Sequence, residues 1–263
     1  MKREDLTKAQ RWFIANELAR DRLPAIDEKQ QQVEAKKTFY ARFGKRALDI
    51  VISGCALVIT LPINLIIGCI TFFDVGRPLF FTQKRTGRNG LPFVIVKFRN
   101  MKNTVDERGE LLPASQRVTR FGKFVRGTSL DELLNFWSIF KGDMSIIGPR
   151  PLPPEYASRY SKRHRGRLSV RPGLECPPRF FDRPWTWQEQ FENDVWYVEN
   201  VSFRVDCMMI GNLMKYALSP KSAAQRSAAQ RGIFMGYDLN GCAITLEQVP
   251  QDYIDRVNTK ECA

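Results

Sequence analysis

The sequence predicts an α+β protein, mostly helical, with a membrane-inserted re-entrant helix-break-helix hairpin, a small cytoplasmic domain and interfacial amphipathic helices. Three observations carry that reading. Residues 47–73 are mostly apolar, and Asp49 is their only charge. Helical periodicities lie on both sides of that stretch, and two short β-rich runs follow it. At 263 residues the chain can form one large domain or two small ones without disulfide staples. The expected divisions are a charged helical extension over 1–43, the membrane segment over 44–74, a folded domain over 75–218 and a tail over 219–263.

The extension reads as two helices. One covers residues 10–23, with Trp12, Phe13, Leu18 and Leu23 apolar and Pro24 as a breaker; the second runs from Ala25 to Phe43. Surface packing is the simpler use of these helices, and pairing with a second copy of the chain is the other. The stretch from Ala47 to Phe73 exceeds the ~20 apolar residues a membrane helix needs. Forty-six mostly polar residues precede it, which argues against a signal peptide. Pro62 stands near its middle and predicts a bend, because proline removes a helix hydrogen bond. Lys36, Lys37, Arg42, Lys45 and Arg46 lie upstream, and Arg77, Lys84, Arg85 and Arg88 lie downstream. Positive flanks favour the cytoplasmic side. A hairpin that returns to the same face satisfies both flanks, whereas a straight span satisfies one.

After the segment, Pro78–Thr82 and Phe93–Phe98 are β-rich runs joined through Gly87–Gly90, a hairpin signal. Residues 129–141 predict an amphipathic helix with Leu130, Leu133, Leu134, Trp137 and Phe140 on one face. Pro153 to Arg167 predicts a basic helix; 185–201 and 203–218 predict two more. The tail contains a duplicated tract at 222–226 and 227–231, and that tract reads as a surface helix or linker.

Charge narrows the function classes. Forty-one Lys and Arg against 28 Asp and Glu leave +13, which calls for an anionic partner such as nucleic acid, a membrane surface or phosphorylated substrates. The basic residues come in acid-free blocks: seven from Arg77 to Lys102, four from Arg117 to Arg126 and six from Arg159 to Arg171. Asp131 and Glu132 stand between the second and third blocks. A nucleic-acid binder would need aromatic-basic interleaving or a binding motif, and none is present, so no nucleic-acid partner is expected. Six cysteines without C-x-x-C spacing fit a reducing compartment. The single histidine, His164 between Arg163 and Arg165, reads as exposed and argues against a histidine-rich metal site or a Ser-His-Asp triad.

Arg126 to Asn135 supports two readings. Ser129-x-x-Glu132 matches a capping box. Equally, adjacent carboxylates can hold a divalent cation, and one can attack phosphorus. Ten residues after Asp131 begins Lys141–Pro151, whose Gly148-Pro-Arg-Pro151 is a rigid turn presenting one arginine, suited to phosphate. Each alone is weak; the ordered set is not.

That set resembles the bacterial sugar transferase family, the monotopic phosphoglycosyl transferases. The carrying residues are Lys45-Arg-Ala-Leu-Asp49, Gln83-Lys-Arg-Thr-Gly87, Lys97-Phe-Arg-Asn-Met101, Thr128-Ser-Leu-Asp-Glu-Leu133, Asn135 with Lys141-Gly-Asp-Met-Ser145, Gly148-Pro-Arg-Pro151 and Arg171-Pro-Gly173. Weaker similarity continues from Asp194 to Ser202, and coverage is roughly residues 44–217. The resemblance implies an enzyme with a small cytoplasmic catalytic domain at the bacterial inner membrane. It would move a sugar-1-phosphate from a UDP-sugar to a polyprenyl (undecaprenyl) phosphate and release UMP, as the first membrane step of a polysaccharide or glycoconjugate. Asp131 would be the nucleophile, Mg²⁺ would sit at Asp131 and Glu132, and Lys97, Arg99, Arg126 and Arg150 would contact phosphate. A catalytically inactive member serving as a membrane-bound assembly or regulatory module is the alternative. Two departures stand out. The family's helix break is usually Ser-Pro, and here it is Leu61-Pro62. The family commonly continues Ile-Thr-Gly-Trp after Pro172-Gly173, and here Leu174-Glu175-Cys176-Pro177-Pro178 follows.

Overall fold

The structure is a computed structural model and describes residues 3–106, 109, 111–176, 186–218 and 232–261. Helix α1, Lys8–Glu28, begins at Thr7, whose hydroxyl caps the Gln10 amide while the Gln10 side chain returns to the Thr7 amide. It runs through Pro24 instead of ending there. The proline costs one hydrogen bond a turn from the helix end, and Leu23 and Ile26 on either side pack into an aromatic core. The second expected helix does not form. Residues 29–38 have no regular structure, because Val33 is drawn into a cluster with Val195 and Val198. A π-helical turn, Tyr40–Gly44, then leads into α2.

Helix α2, Lys45–Val75, is one uninterrupted helix of 31 residues, so the break expected at Pro62 is not an interruption of helical backbone. Polar side chains flank the proline: Thr60 donates to the Ala56 carbonyl at 2.7 Å, and Asn64 donates to the Thr60 hydroxyl at 3.3 Å. Such groups let apolar helices tolerate proline. Val58 and Ile59 are 74% and 70% exposed, and only 11% of the most apolar window is covered by the rest of the chain. Apolar surface on that scale is untenable in water, so α2 belongs in lipid and the protein is membrane-associated.

Both ends of α2 are tied to one folded body. Strands β1, Phe80–Thr86, and β2, Pro92–Phe98, pair antiparallel about the expected turn. Helix α3 covers Arg120–Gly127, and α4 covers Asn135–Lys141 and packs on β2 through Ile139, Met144 and Ile95. Arg46 at the start of α2 donates to the Ile139 and Phe140 carbonyls at 2.6 and 2.7 Å. At the other end, Arg99 donates to the Val75 and Gly76 carbonyls. The expected helix over 129–141 is divided at Leu133 and Leu134 into a 3₁₀ turn, Leu130–Glu132, and α4, and Ser129 before it adopts a left-handed φ of +58°. Phe124, Trp137 and Phe140 remain exposed on α3 and α4.

Short strands β3, Ser145–Ile147, and β4, Gly173–Glu175, pair in parallel. Between them the expected basic helix is two 3₁₀ turns, Pro154–Arg159 and His164–Ser169. The helix cannot continue there because Tyr160 is extended and the second turn presses Gly166 against Val33, where a Cβ would lie 2.7 Å from the valine's own. His164 is buried, contrary to expectation. Its Nδ1 lies 2.8 Å from the Tyr237 hydroxyl and its Nε2 lies 2.9 Å from Glu192. Helices α5, Trp187–Asn200, and α6, Phe203–Leu218, fall close to the expected ranges.

The described part of the tail, 232–261, is folded. Strands β5, Phe234–Tyr237, and β6, Ala243–Thr245, form a hairpin, and helix α7 covers Gln251–Glu261. Together they cover the apolar side of α1: Ile14, Ala15 and Leu18 pack with Met235, Ile254 and Val257. The duplicated tract and Pro177-Pro178 lie outside the described residues.

Candidate active site

Lys97 comes from β2, Asp131 and Glu132 from the 3₁₀ turn after α3, Arg150 from the turn after β3, and Glu175 from the end of β4. The left-handed Ser129 makes no side-chain cap, so the capping-box reading fails and Glu132 is free for other partners. Lys97 Nζ donates to Glu132 Oε1 at 2.5 Å, and Arg150 Nη2 approaches the same oxygen at 3.6 Å. Arg150 Nη1 bonds Glu175 at 2.7 Å. Asp131 is buried, and no ion pair or side-chain hydrogen bond engages its carboxylate among the described residues.

Electrostatics separate the two neighbours. Burial opposes ionisation of Glu132, but Arg150 and Lys97 outweigh it and hold its pKa below the ordinary glutamate value. Burial raises the pKa of Asp131 above the ordinary aspartate value; Lys97 works against that rise, and the Glu132 charge adds to it. Arg126, at the end of α3, also favours the ionised Asp131. One carboxylate is paired with cations, and the other, beside them, accepts only from its own backbone amide among the described residues.

The backbone that carries Arg150 and Glu175 is fixed by two glycines. A Cβ on Gly148 would lie 2.6 Å from the Arg171 carbonyl oxygen, and one on Gly173 would lie 2.2 Å from the Gly148 nitrogen. The Gly148 amide donates to the Glu175 carbonyl, and the Gly173 amide donates to the Pro149 carbonyl. From below, Arg167 Nη2 donates to the Arg150 carbonyl and to Asp194, both at 2.8 Å.

Of the residues singled out from the sequence, Lys97, Asp131, Glu132 and Arg150 therefore meet, with Arg126 at their edge. Arg99 does not join them; its guanidinium caps the end of α2. Pro62 lies within α2. Sequence reasoning did not assign roles to Glu175, Arg85 or the buried Arg167–Asp194 pair. Arg85 was legible in principle: in the β1–β2 register Phe81 opposes Lys97 and Arg85 opposes Phe93, so Arg85 and Lys97 share one hairpin face. Thr86 bonds the Leu152 carbonyl, which brings Arg85 beside the Arg150 turn. The Arg85 Nε is buried without a partner, and its pKa is lowered by burial and then by Arg150.

Two adjacent carboxylates are hard oxygen donors of the kind Mg²⁺ prefers. Among the described residues no group of three His, Cys, Asp or Glu side chains is arranged for a metal, so phosphate oxygens and water would complete any coordination here.

A carboxylate pair under several cations, next to a lipid-embedded helix, defines a membrane-associated enzyme. The family model described as Bacterial sugar transferase matches residues 40–219, and the chain belongs to that family. It is 34% identical over 193 residues to an uncharacterised sugar transferase, EpsL, of Bacillus subtilis, covering 73% of this chain and 96% of that protein. It is 32% identical over 178 residues to the UDP-glucose:undecaprenyl-phosphate glucose-1-phosphate transferase of Klebsiella pneumoniae, covering 63% and 38%. It is also 32% identical over 205 residues to the undecaprenyl-phosphate galactose phosphotransferase of Salmonella typhimurium, covering 68% and 41%. The chain thus spans nearly all of the first relative and about four-tenths of the other two.

Proposed function

We propose that the protein moves a sugar-1-phosphate from a UDP-sugar to a polyprenyl phosphate, as the names of its Klebsiella and Salmonella relatives suggest. The observation that carries this reading is the asymmetry of the pair: Glu132 is held by Lys97 and Arg150, while Asp131 accepts only from its own backbone amide among the described residues. In the first step an Asp131 oxygen attacks the β-phosphorus of the donor. The bond from that phosphorus to the bridging oxygen breaks, and UMP leaves with the electron pair. In the second step an oxygen of the polyprenyl phosphate attacks the same phosphorus and restores the Asp131 carboxylate. Lys97, Arg150 and Arg126 orient the phosphates and offset their charge, which is most of what a protein contributes to phosphoryl transfer. Asp131 and Glu132 would hold Mg²⁺, which when bound neutralises phosphate oxygens.

The attachment of both ends of α2 to one soluble body supports a re-entrant segment, since a spanning helix would separate its ends by a ~30 Å hydrocarbon core. The positive flanks support a position of that body on the cytoplasmic face of the bacterial inner membrane. Exposed Phe124, Trp137 and Phe140 would then lie at the interface.

The test is UMP release by purified protein in nanodiscs with undecaprenyl phosphate, Mg²⁺ and a panel of UDP-sugars. Release with one sugar, dependent on Mg²⁺ and lost in Asp131→Asn, is the expected result. Binding of a UDP-sugar without turnover would replace this reading with that of a non-catalytic relative.

A further inference from the structure

A second cluster of positive charge lies away from Asp131. A cavity of about 880 Å³ opens between the 29–38 segment, the β1–β2 turn, residues 162–171 and the start of α2. Its wall includes Arg88, Lys162, Arg165 and Arg171, and Arg46 adjoins Arg171 at Gly142. None of these five makes an ion pair with a carboxylate among the described residues. Arg88 Nε donates to the Ser169 carbonyl at 3.2 Å, Arg171 Nε to the Gly142 carbonyl at 2.9 Å, and Arg165 Nη2 to the Tyr160 carbonyl at 3.3 Å. Burial, then Arg46 and Arg88, depress the pKa of Arg171. Guanidinium groups gathered around a cavity and bonded to neutral carbonyls repel one another until an anion arrives. Two carboxylates, Glu34 and Asp49, also line the cavity, and neither pairs with these five cations: Glu34 is exposed and lies 4.0 Å from Lys37. Asp49 is buried and turned toward Ser145 and Ile146, with its Oδ2 atom unpartnered.

The cavity is separate from the active site. Lys97 lies five residues along β2 from Pro92 at the turn, roughly 17 Å at ~3.3 Å per residue. The opening also lies where the chain enters lipid, since Ala41, Arg42 and Lys45 line it.

We propose that this cavity is a second anion site, which takes a phosphate group of the kind carried by lipid headgroups and by soluble phosphate esters. The apolar side chains in its wall, Val33, Val170 and Val201 among them, suit a ligand with an organic portion next to the phosphate. The polar ring of guanidinium and ammonium groups suits the phosphate itself.

Isothermal titration on the full chain in non-ionic detergent tests this without relying on turnover. Three probes are used: dihexanoyl phosphatidylglycerol, inorganic phosphate and dihexanoyl phosphatidylcholine. Saturable binding is expected, and the double variant Arg88→Gln/Lys162→Gln should weaken it at least fivefold with an unchanged melting temperature. Ala157→Trp, which fills the cavity without altering charge, should weaken it as well. Binding of the glycerol lipid alone supports the site and assigns it to a membrane headgroup. Binding of inorganic phosphate with the same dependence on the variants supports the site and assigns it to a soluble phosphate. No saturable binding, equal binding of the choline lipid, or affinity unchanged in both variants overturns the proposal. UMP release is measured in parallel, so failure of the anion site and failure of the transfer reaction read out separately.

Discussion

Two arginine–carboxylate assemblies sit back to back in this protein and are built to opposite rules. Below the Arg150 turn, Arg167 and Asp194 are 2% and 1% exposed, and the arginine also donates to the Tyr160 hydroxyl and the Arg150 carbonyl. One cation meets one anion, and both are sealed from water. Above the turn, Lys97 and Arg150 share a single Glu132 oxygen, Arg150 divides itself with Glu175, and Arg85 has no carboxylate at all among the described residues. The closed pair maintains shape; the open set leaves positive charge for a ligand. Burial and stoichiometry, more than the mere presence of an ion pair, separate scaffold from site.

The largest effect expected on the open side is that of Asp131→Asn: UMP release falls by about 10³-fold or more, with an unchanged melting temperature. A variant that kept its activity would remove Asp131 from the chemistry. On the closed side, Asp194→Asn leaves Arg167 buried without its counter-charge and should cost about 3–5 kcal/mol, read by denaturant unfolding. A loss of activity without a loss of stability would show that the closed pair is part of the site after all. Arg150→Met should lower UMP release about 10²-fold. It should also move the acid limb of the pH profile upward, because Arg150 is foremost among the cations that hold the Glu132 pKa down. Glu132 now stays ionised to a lower pH than an ordinary glutamate; without Arg150 it takes up its proton at a higher pH. Arg85→Met should cost about tenfold in kcat/KM, equivalent to about 1.4 kcal/mol, at the low end for a charged hydrogen bond. The smallest effect belongs to Arg20, which is exposed and paired with Glu17 on α1; Arg20→Gln should change stability by less than about 0.5 kcal/mol.

What the sequence made legible was whatever local pattern or motif spacing controls. The β1–β2 hairpin, α5 and α6 follow from alternation, turn residues and helical period, and the four residues that meet in the candidate site follow from the order of the motifs. The remainder depends on contacts between distant parts of the chain. Pro24 reads as a terminator, yet the helix continues because Ile26 finds a core made with Phe234 and Tyr237 from the far end of the chain. His164 reads as exposed among arginines, but Tyr237 and Glu192 give both ring nitrogens partners inside the protein. The helix over 129–141 is shortened to Asn135–Lys141, and the left-handed Ser129 at its expected start is announced by no period in the sequence. Arg99 sits in the middle of a phosphate-site motif, and its carbonyl partners at Val75 and Gly76 become neighbours only after folding.

The contact between Gly148 and Gly173 has a consequence for speed. The two turns meet backbone to backbone and are hydrogen-bonded to each other, so the Arg150–Glu175 ion pair is carried on adjoining main chain. In the proposed reaction an incoming phosphate would take the place of the Glu175 carboxylate on the arginine, one anion exchanged for another with little net electrostatic gain. Such an exchange would hold the donor loosely, and the same carboxylate would return to Arg150 once the nucleotide had left, with no loop movement required.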